Sequence, residues 1–354
     1  MKKIWIDMSH YNKLSGYWVV AKNIIDHMLQ YDNFEFFLFS NEDISLPESI
    51  KKDNIHIVVN KWISYIYYRM RHQAKVLKEH HIDTFFTCDQ IVPLRKVCRY
   101  ISTIHDMFLW LNFWWLKALK ILKPNWWDKK RFLYHLLGFD KLFAIKSDYI
   151  ISPSEYTKKD VIKCLWLNEK KIVVAHWGID NIKKIKQTSK QDYILFPLCT
   201  IFHDNFIFAL WKRILELHMT KKIIYWKPWN LWSKMTYKNT DPNIEVIQKR
   251  ISEEEKEKLI AHAKIAIYVS PFEWFWFVPL ECLRLWAPLI YNNVGSLWEV
   301  IGESAIGINK MDIEKYIQWI SEIHKYPNEY IEKWLEKSDT YLWSETVKKI
   351  VSKF

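Results

Sequence analysis

At 354 residues, half of them hydrophobic, the chain is long enough for two ordinary domains and too apolar to be disordered. A net charge of +12 points to anionic partners, but no basic motif with interleaved stacking aromatics argues for nucleic acid. There is no run of about 18 apolar residues, and the five cysteines lie scattered outside CxxC pairs, so neither a membrane span nor a structural zinc is expected.

The opening Met1-Lys2-Lys3-Ile4 reaches Asp7 at once, which is too short for a signal peptide and reads as a first strand. From there, short apolar runs alternate with amphipathic stretches, the pattern of βαβ units and a parallel sheet. Strands are expected at Ile4–Ile6, Glu35–Phe39, Ile55–Val59, Thr84–Phe86 and Arg99–Ile104, the last running into His105-Asp106. Helices are expected over Val19–Tyr31 and Tyr65–His80. The strand Tyr149–Ile151 is followed by Ser152-Pro153-Ser154-Glu155, a helix-start signal, and then by the strand Lys171–Val174.

A polar stretch, Asp180–Asp192, separates this half from a second series. There the expected strands are Tyr193–Phe196, Lys222–Tyr225, Ile244–Ile247, Ile265–Val269 and Leu289–Tyr291, with helices over Phe206–Leu217, Glu253–Ala263, Val278–Leu285 and Ser296–Ile301 and from Asp312 onward. The reading is an α/β chain of two doubly wound Rossmann-like domains facing across a cleft. Their bounds are 1–180, a linker at 181–192, and 193–335, with a helix over 336–354 packing back on the first domain. Ligands would gather at the carboxyl ends of the strands.

The chain has 6 Gly and 21 Trp. Ordinary usage would give roughly 25 Gly in a chain this long. Several tryptophans stand where glycine makes physical sense. Trp18 follows Ser15-Gly16-Tyr17 in a turn, and Trp226 and Trp229 flank Lys227-Pro228 at a strand exit. Trp286 precedes Ala287-Pro288 at a helix end, where a left-handed glycine is the usual stop. Trp274 and Trp276 fall in a tight loop. Reading UGA as tryptophan in a lineage that inserts glycine there would produce this pattern; a genuinely Trp-rich chain is the alternative. Trp343, in a helical stretch, reads as an ordinary core anchor.

The densest chemistry lies in Ser270-Pro271-Phe272-Glu273-Trp274-Phe275-Trp276-Phe277-Val278-Pro279-Leu280-Glu281, where two glutamates eight positions apart bracket the loop. Glu281 is expected near the first turn of a helix whose N-terminal amides suit a diphosphate, and there it could accept two ribose hydroxyls. Glu273 could face a sugar ring. Either glutamate could instead be a cap or a solvated helix residue. His105-Asp106 after a strand is a weaker signal. The aromatic stretch Met107–Lys123, with lysines at 117, 120 and 123 on one helical face, fits a surface-lying membrane helix or a core helix with a solvated edge.

With Trp274 and Trp276 read as glycine, this segment resembles the signature of the retaining GT-B glycosyltransferases of family 4: a Glu-x7-Glu motif in the context Ser-Pro-(aromatic)-Glu-Gly-Phe-Gly-x-x-x-Leu-Glu. The likeness runs from about residue 4 to about 347, through Ser147–Ser154, Gly178-Ile179-Asp180 and Asn292–Leu297. The resemblance implies that Glu281 holds the donor ribose and that Glu273 contacts the donor sugar and stabilises the reacting centre. It implies that amides around Phe275, Trp276 and Phe277 cradle the diphosphate, that Gly16 belongs to an N-terminal glycine loop, and that His105 and Asp106 form the active-site pair near the transferred sugar.

It further implies a nucleotide-sugar donor as substrate, a glycan or lipid-linked acceptor, no metal and no cofactor. The setting it implies is cytoplasmic cell-envelope polysaccharide synthesis, with peripheral contact at the inner face of the membrane. One departure stands out. The loop Leu198–Asn205 lacks the family's Arg and Lys, and carries Asp204 instead. His203, Lys212, Arg213 or Lys227 could compensate. The alternatives are a catalytically impaired GT-B paralogue acting as a binding or scaffold subunit, or an epimerase or phosphorylase on the same architecture.

Overall fold

The computed structural model describes residues 1–11, 16–47, 50, 52–60, 65–107, 138–185, 189–197, 204–226, 241–249, 251–270, 273, 275, 277–325 and 336–354. The chain divides into two compact units, Met1–Trp177 with Trp343–Phe354, and Gly178–Leu342. The divisions fall at 177/178 and 342/343, where the sequence suggests 180 and 335.

The first unit is built on a seven-stranded sheet. Its strands are β1 (Lys2–Asp7), β2 (Phe34–Ser40), β3 (Ile55–Val59), β4 (Thr84–Phe86), β5 (Arg99–Thr103), β6 (Tyr149–Ser152) and β7 (Ile172–Val174). They lie in the order β3-β2-β1-β4-β5-β6-β7, every neighbouring pair parallel. A strand covered on both faces needs a continuous apolar run rather than alternation. β1 and β2 supply one: Ile4, Trp5, Ile6, Phe36, Leu38 and Phe39 are fully buried. Edge strand β3 is largely open to solvent.

The helices of this unit are α1 (Gly16–Met28), α2 (Tyr65–Arg71), α3 (Gln73–Glu79), α4 (Phe139–Lys146) and α5 (Glu155–Leu165). The single helix expected over 65–80 is two, parted at His72, whose φ of −104° leaves the helical range and whose ring packs on Tyr67 and Tyr68. The Ser154 hydroxyl caps α5 by accepting from the Thr157 amide at 3.0 Å, as the Ser-Pro-Ser-Glu signal predicts.

The second unit carries a six-stranded sheet of β8 (Gln191–Pro197), β9 (Lys222–Trp226), β10 (Ile244–Ile247), β11 (Ala263–Tyr268), β12 (Leu289–Asn292) and β13 (Ile306–Ile308). Its order is β10-β9-β8-β11-β12-β13, again all parallel. The helices are α6 (Asp204–Glu216), α7 (Glu253–Ala261), α8 (Phe277–Arg284), α9 (Leu297–Val300) and α10 (Ile313–Lys325). Ile207, Leu210, Trp211 and Ile214 recur at helical spacing on α6, and Tyr316, Ile317, Ile320 and Ile323 on α10; both sets bury in one cluster with the strands of this sheet, α10 lying on α6 and β13. Ser252 and Glu255 form a reciprocal capping box on α7.

A last helix, α11 (Trp343–Val351), belongs to the first unit and packs along α1. Trp343 is fully buried and stacks on Trp177, the core anchor the sequence predicts. Phe354 packs edge-on against Phe34, and its carbonyl accepts from Arg99 at 2.8 Å and Lys2 at 3.0 Å.

The tryptophan positions separate into kinds. Trp286 has φ +61°, the left-handed stop expected there. The Ala287 amide donates to Cys282 O at 2.8 Å and the Trp286 amide to Leu283 O at 3.4 Å, the Schellman arrangement that usually ends in glycine. Trp166, which the sequence does not flag, is also left-handed, at φ +52°. Trp226 corrects its expectation: it is the last residue of β9, buried and paired with Pro197 in ordinary strand backbone, so its slot does not call for glycine. Trp229, Trp274 and Trp276 lie outside the described residues, as does the side chain of Trp18. No helix among the described residues is long and apolar enough to cross a membrane. The stretch Met107–Lys123 lies outside the described residues from 108 onward.

Candidate active site

Doubly wound sheets bind ligands outside the carboxyl ends of their strands, where the strand order reverses. In the second unit that switch lies between β8 and β11. The chain leaving β11 there runs through Ser270, Glu273 and Phe275 into α8. The turn is pinned from below. Ser270 N donates to Asn292 Oδ1 at 2.8 Å and Asn292 Nδ2 donates back to Ser270 O, while Ser296 N donates to Glu273 O at 2.8 Å. Gly295 permits this approach: at φ +60°, a Cβ on it would sit 1.8 Å from Glu273 O.

Both glutamates point inward. Glu273 is 1% exposed and accepts from the Tyr268 hydroxyl at Oε1, 2.5 Å away. Glu281 is 5% exposed, and its Oε1 accepts from Lys256 Nζ of α7 at 3.0 Å. The second oxygen, Oε2, of each is buried with no hydrogen-bond partner among the described residues. Burial pushes the Glu273 carboxyl up to about 8, with the Ser270 and Tyr268 hydroxyls opposing. Burial also raises Glu281, against the pull of Lys256. Burial would lower Lys256, but Glu281 and Glu253 more than reverse this and hold it above its ordinary range.

α8 begins at Phe277, so Glu281 directly follows its first turn, near where the sequence places it, and its carboxylate meets Lys256 of α7. Pro279, in the first turn, lacks an N–H and is tolerated there. Phe275 is buried, edge-on to Phe277 at 5.8 Å and to Tyr341 at 6.1 Å, so both phenylalanines act as packing that shapes the loop.

In the first unit, His105 and Asp106 follow β5. The His105 ring is buried, its Nε2–H donating to Cys88 O at 2.8 Å, and it is tilted at 49° to the Trp177 ring with centroids 5.6 Å apart. Asp106 is half-buried. Gly16 is the first residue of α1. Lys227 and Trp276 lie outside the described residues, as do His203 and the side chain of Asp204. Lys212 and Arg213, candidates to replace the missing basic pair, pair instead with Glu216 at 3.7 Å and Glu314 at 3.3 Å.

The structure thus brings Glu273, Phe275, Phe277 and Glu281 into one loop and helix of the second unit, and His105 with Asp106 onto one strand end of the first. Sequence reasoning missed Tyr268, Asn292 and Lys256. Lys256 alone left a readable trace, one residue after the capping-box Glu255.

Residues 15–181 match the family described as Glycosyltransferase Family 4. The sequence matches no curated protein. The fold resembles a sucrose-phosphate synthase from Thermosynechococcus elongatus at 10% identity, covering 99% of this chain and 98% of that one with a TM-score of 0.69. It also resembles HepE from Anabaena, in complex with UDP and glucose, at 12% identity, 99% and 98% coverage and a TM-score of 0.67. A glycosyltransferase from Rickettsia africae matches at 13% identity, 99% and 97% coverage and a TM-score of 0.65.

Proposed function

From the premise that the chain carries a Glycosyltransferase Family 4 domain and has the GT-B fold, we propose that it moves a sugar from a nucleotide-diphosphate donor to a hydroxyl of a glycan or lipid-linked acceptor, with retained anomeric configuration. The observation that carries this reading is the pair of buried glutamates, each with one carboxylate oxygen that meets no donor among the described residues, at the strand-order switch of the second unit. A buried acceptor without a donor costs about 1–3 kcal/mol. Donor hydroxyls would supply what is missing: the ribose at Glu281 and the sugar ring at Glu273. That a solved structure of this fold holds UDP and glucose agrees with the assignment.

In the proposed reaction the bond from the sugar's C1 to the diphosphate breaks as the bond to the acceptor oxygen forms on the same face. The acceptor's proton leaves with the diphosphate. Amides around Phe275–Phe277 and nearby cations would stabilise the departing charge, without metal or cofactor. His105 and Asp106 would border the transferred sugar. The basic charge supports a cytoplasmic protein in peripheral contact with the inner face of a membrane, acting in envelope polysaccharide synthesis.

The test is a panel of UDP-, GDP- and ADP-sugars against glycan and lipid-linked acceptors, with the product anomer read by NMR. Glu273→Gln and Glu281→Gln should each lower turnover, Glu273→Gln by roughly 100-fold or more. No turnover of any donor, together with undiminished partner binding by a Glu273→Ala variant, would favour the scaffold alternative.

A further inference from the structure

The loop between β11 and α8 is held in part from far along the chain, by residues 336–342 of the same unit. Phe275, 3% exposed, stands midway between Glu273 and the start of α8 at Phe277. Tyr341, 5% exposed, meets it edge-on, with ring centroids 6.1 Å apart and an interplanar angle of 66°. The Tyr341 hydroxyl donates to Val300 O, the last residue of α9, at 2.7 Å. The residues leading into α9 pin the same loop. The Ser296 amide donates to Glu273 O at 2.8 Å, and the Val300 amide donates to Ser296 O at 3.0 Å. One side chain thus joins the middle of the loop to the element that fixes its first glutamate.

Tyr341 is itself firmly seated. The Ile179 amide donates to Tyr341 O at 3.0 Å, and the Lys337 ammonium lies over the phenol ring, 5.5 Å from its centroid. Two residues earlier, Asp339 accepts from Lys184 and, at 3.4 Å, from Nη1 of Arg284, the residue that ends α8. Arg284 Nε donates in turn to Ile182 O at 2.6 Å. The segment therefore grips α8 at its far end through charge and the loop before it through an aromatic ring. A tyrosine side chain turns about two torsions, and anchoring its hydroxyl while packing its ring sets both. Such seating matters where amides are to meet developing charge. They stabilise it only when held in place beforehand, to within about 0.5 Å.

We propose that Tyr341 is a positioning residue for this loop: anchored to Val300, its ring sets Phe275 and with it the backbone amides between Glu273 and α8. Under the glycosyl-transfer reading, on which the ligand rests, those amides meet the donor's diphosphate. Tyr341 acts through Phe275 and does not touch the donor.

The test is amide hydrogen exchange of the full chain, read by mass spectrometry, beside calorimetry with UDP, GDP and ADP. Without ligand, Tyr341→Leu should speed exchange in peptides covering 273–281 by about tenfold or more, leaving those of β9 and β10 as in wild type. Tyr341→Phe, which keeps the ring and loses only the bond to Val300, should give a smaller acceleration, about threefold, in the same peptides. Whichever nucleoside diphosphate the wild-type chain takes should bind Tyr341→Leu about tenfold more weakly. Phe275→Leu/Tyr341→Leu should bind it no more weakly than Phe275→Leu alone, because one residue acts through the other. Loop exchange unchanged in both variants, acceleration in Tyr341→Phe that spreads equally to β9 and β10, or affinity losses that add in the double variant would each overturn the proposal, leaving Tyr341 as a core contact. The exchange arms need no ligand. A chain that binds none of the three nucleotides would sink the transfer reading, while loop exchange still decides the role of Tyr341.

Discussion

Replacing Lys256 with Met tests the charge logic under Glu281. The Lys256 and Glu281 side chains are 11% and 7% exposed and 3.0 Å apart, and the Glu281 carboxylate has no other hydrogen-bond partner among the described residues. The variant leaves a buried carboxylate with both oxygens unmet, which ordinarily costs about 3–5 kcal/mol. Glu281 can escape by taking up a proton. From an unfolded value near 4.3, that route costs about 4 kcal/mol at pH 7.5 and about 1 kcal/mol at pH 5. The cheaper route governs, so about 4 kcal/mol is a ceiling at pH 7.5.

The sign follows from the direction of the shift. Burial already holds Glu281 above its unfolded value, and losing the opposing pull of Lys256 raises it further. The deficit against the wild-type chain is therefore small near pH 4 and grows as pH rises. Urea unfolding followed by tryptophan fluorescence, at pH 5 and 7.5, should show that growth. Lys256→Met/Glu281→Gln should recover most of it, because no charge then remains to be buried. A deficit equal at both pH values, or a double variant no more stable than the single, would refute the reasoning.

Three further outcomes are expected. Glu273, raised to about 8, destabilises the unliganded fold as pH climbs from about 4.3 through 8, by up to about 1.4 kcal/mol per pH unit. Urea midpoints of wild type and Glu273→Gln should therefore diverge between pH 5 and 9, and parallel profiles would contradict the assignment. Gly295→Ala, whose Cβ would meet Glu273 O at 1.8 Å, should cost more than about 2 kcal/mol in thermal melts, whereas Gly302→Ala, with nothing within 4 Å, should cost about 1 kcal/mol. Trp286→Gly should raise the unfolding free energy from urea melts by roughly 1 kcal/mol as left-handed strain is relieved, and a lower value would show that the ring's packing outweighs its backbone.

Much of the fold is readable in the sequence because parallel strands must be apolar throughout. Ile4-Trp5-Ile6 and Ile265–Tyr268 announce themselves, while Ile306-Gly307-Ile308 is too short to do so. The tryptophan argument was half legible. Trp286 occupies the slot its neighbours foretold, but His81 and His218 take the same left-handed position with no glycine in question, so backbone conformation alone does not mark a recoded codon. The glutamate pair was visible from its spacing. What meets it was not, because Tyr268 on β11 and Lys256 on α7 are brought to the two glutamates only by the folded sheet.

α11 and Phe354 have a consequence for how the molecule is made. The core of the first unit is sealed by residues 343–354, which emerge only after the whole of the second unit has been synthesised. Residues 178–342 are thus free to reach their final packing while the first unit still lacks Trp343 under Trp177 and Phe354 against Phe34. The usual vectorial order, first domain first, is reversed for the closing step. A chain ending near residue 342 would keep the whole of the second unit and leave the first with an open apolar seam along α1.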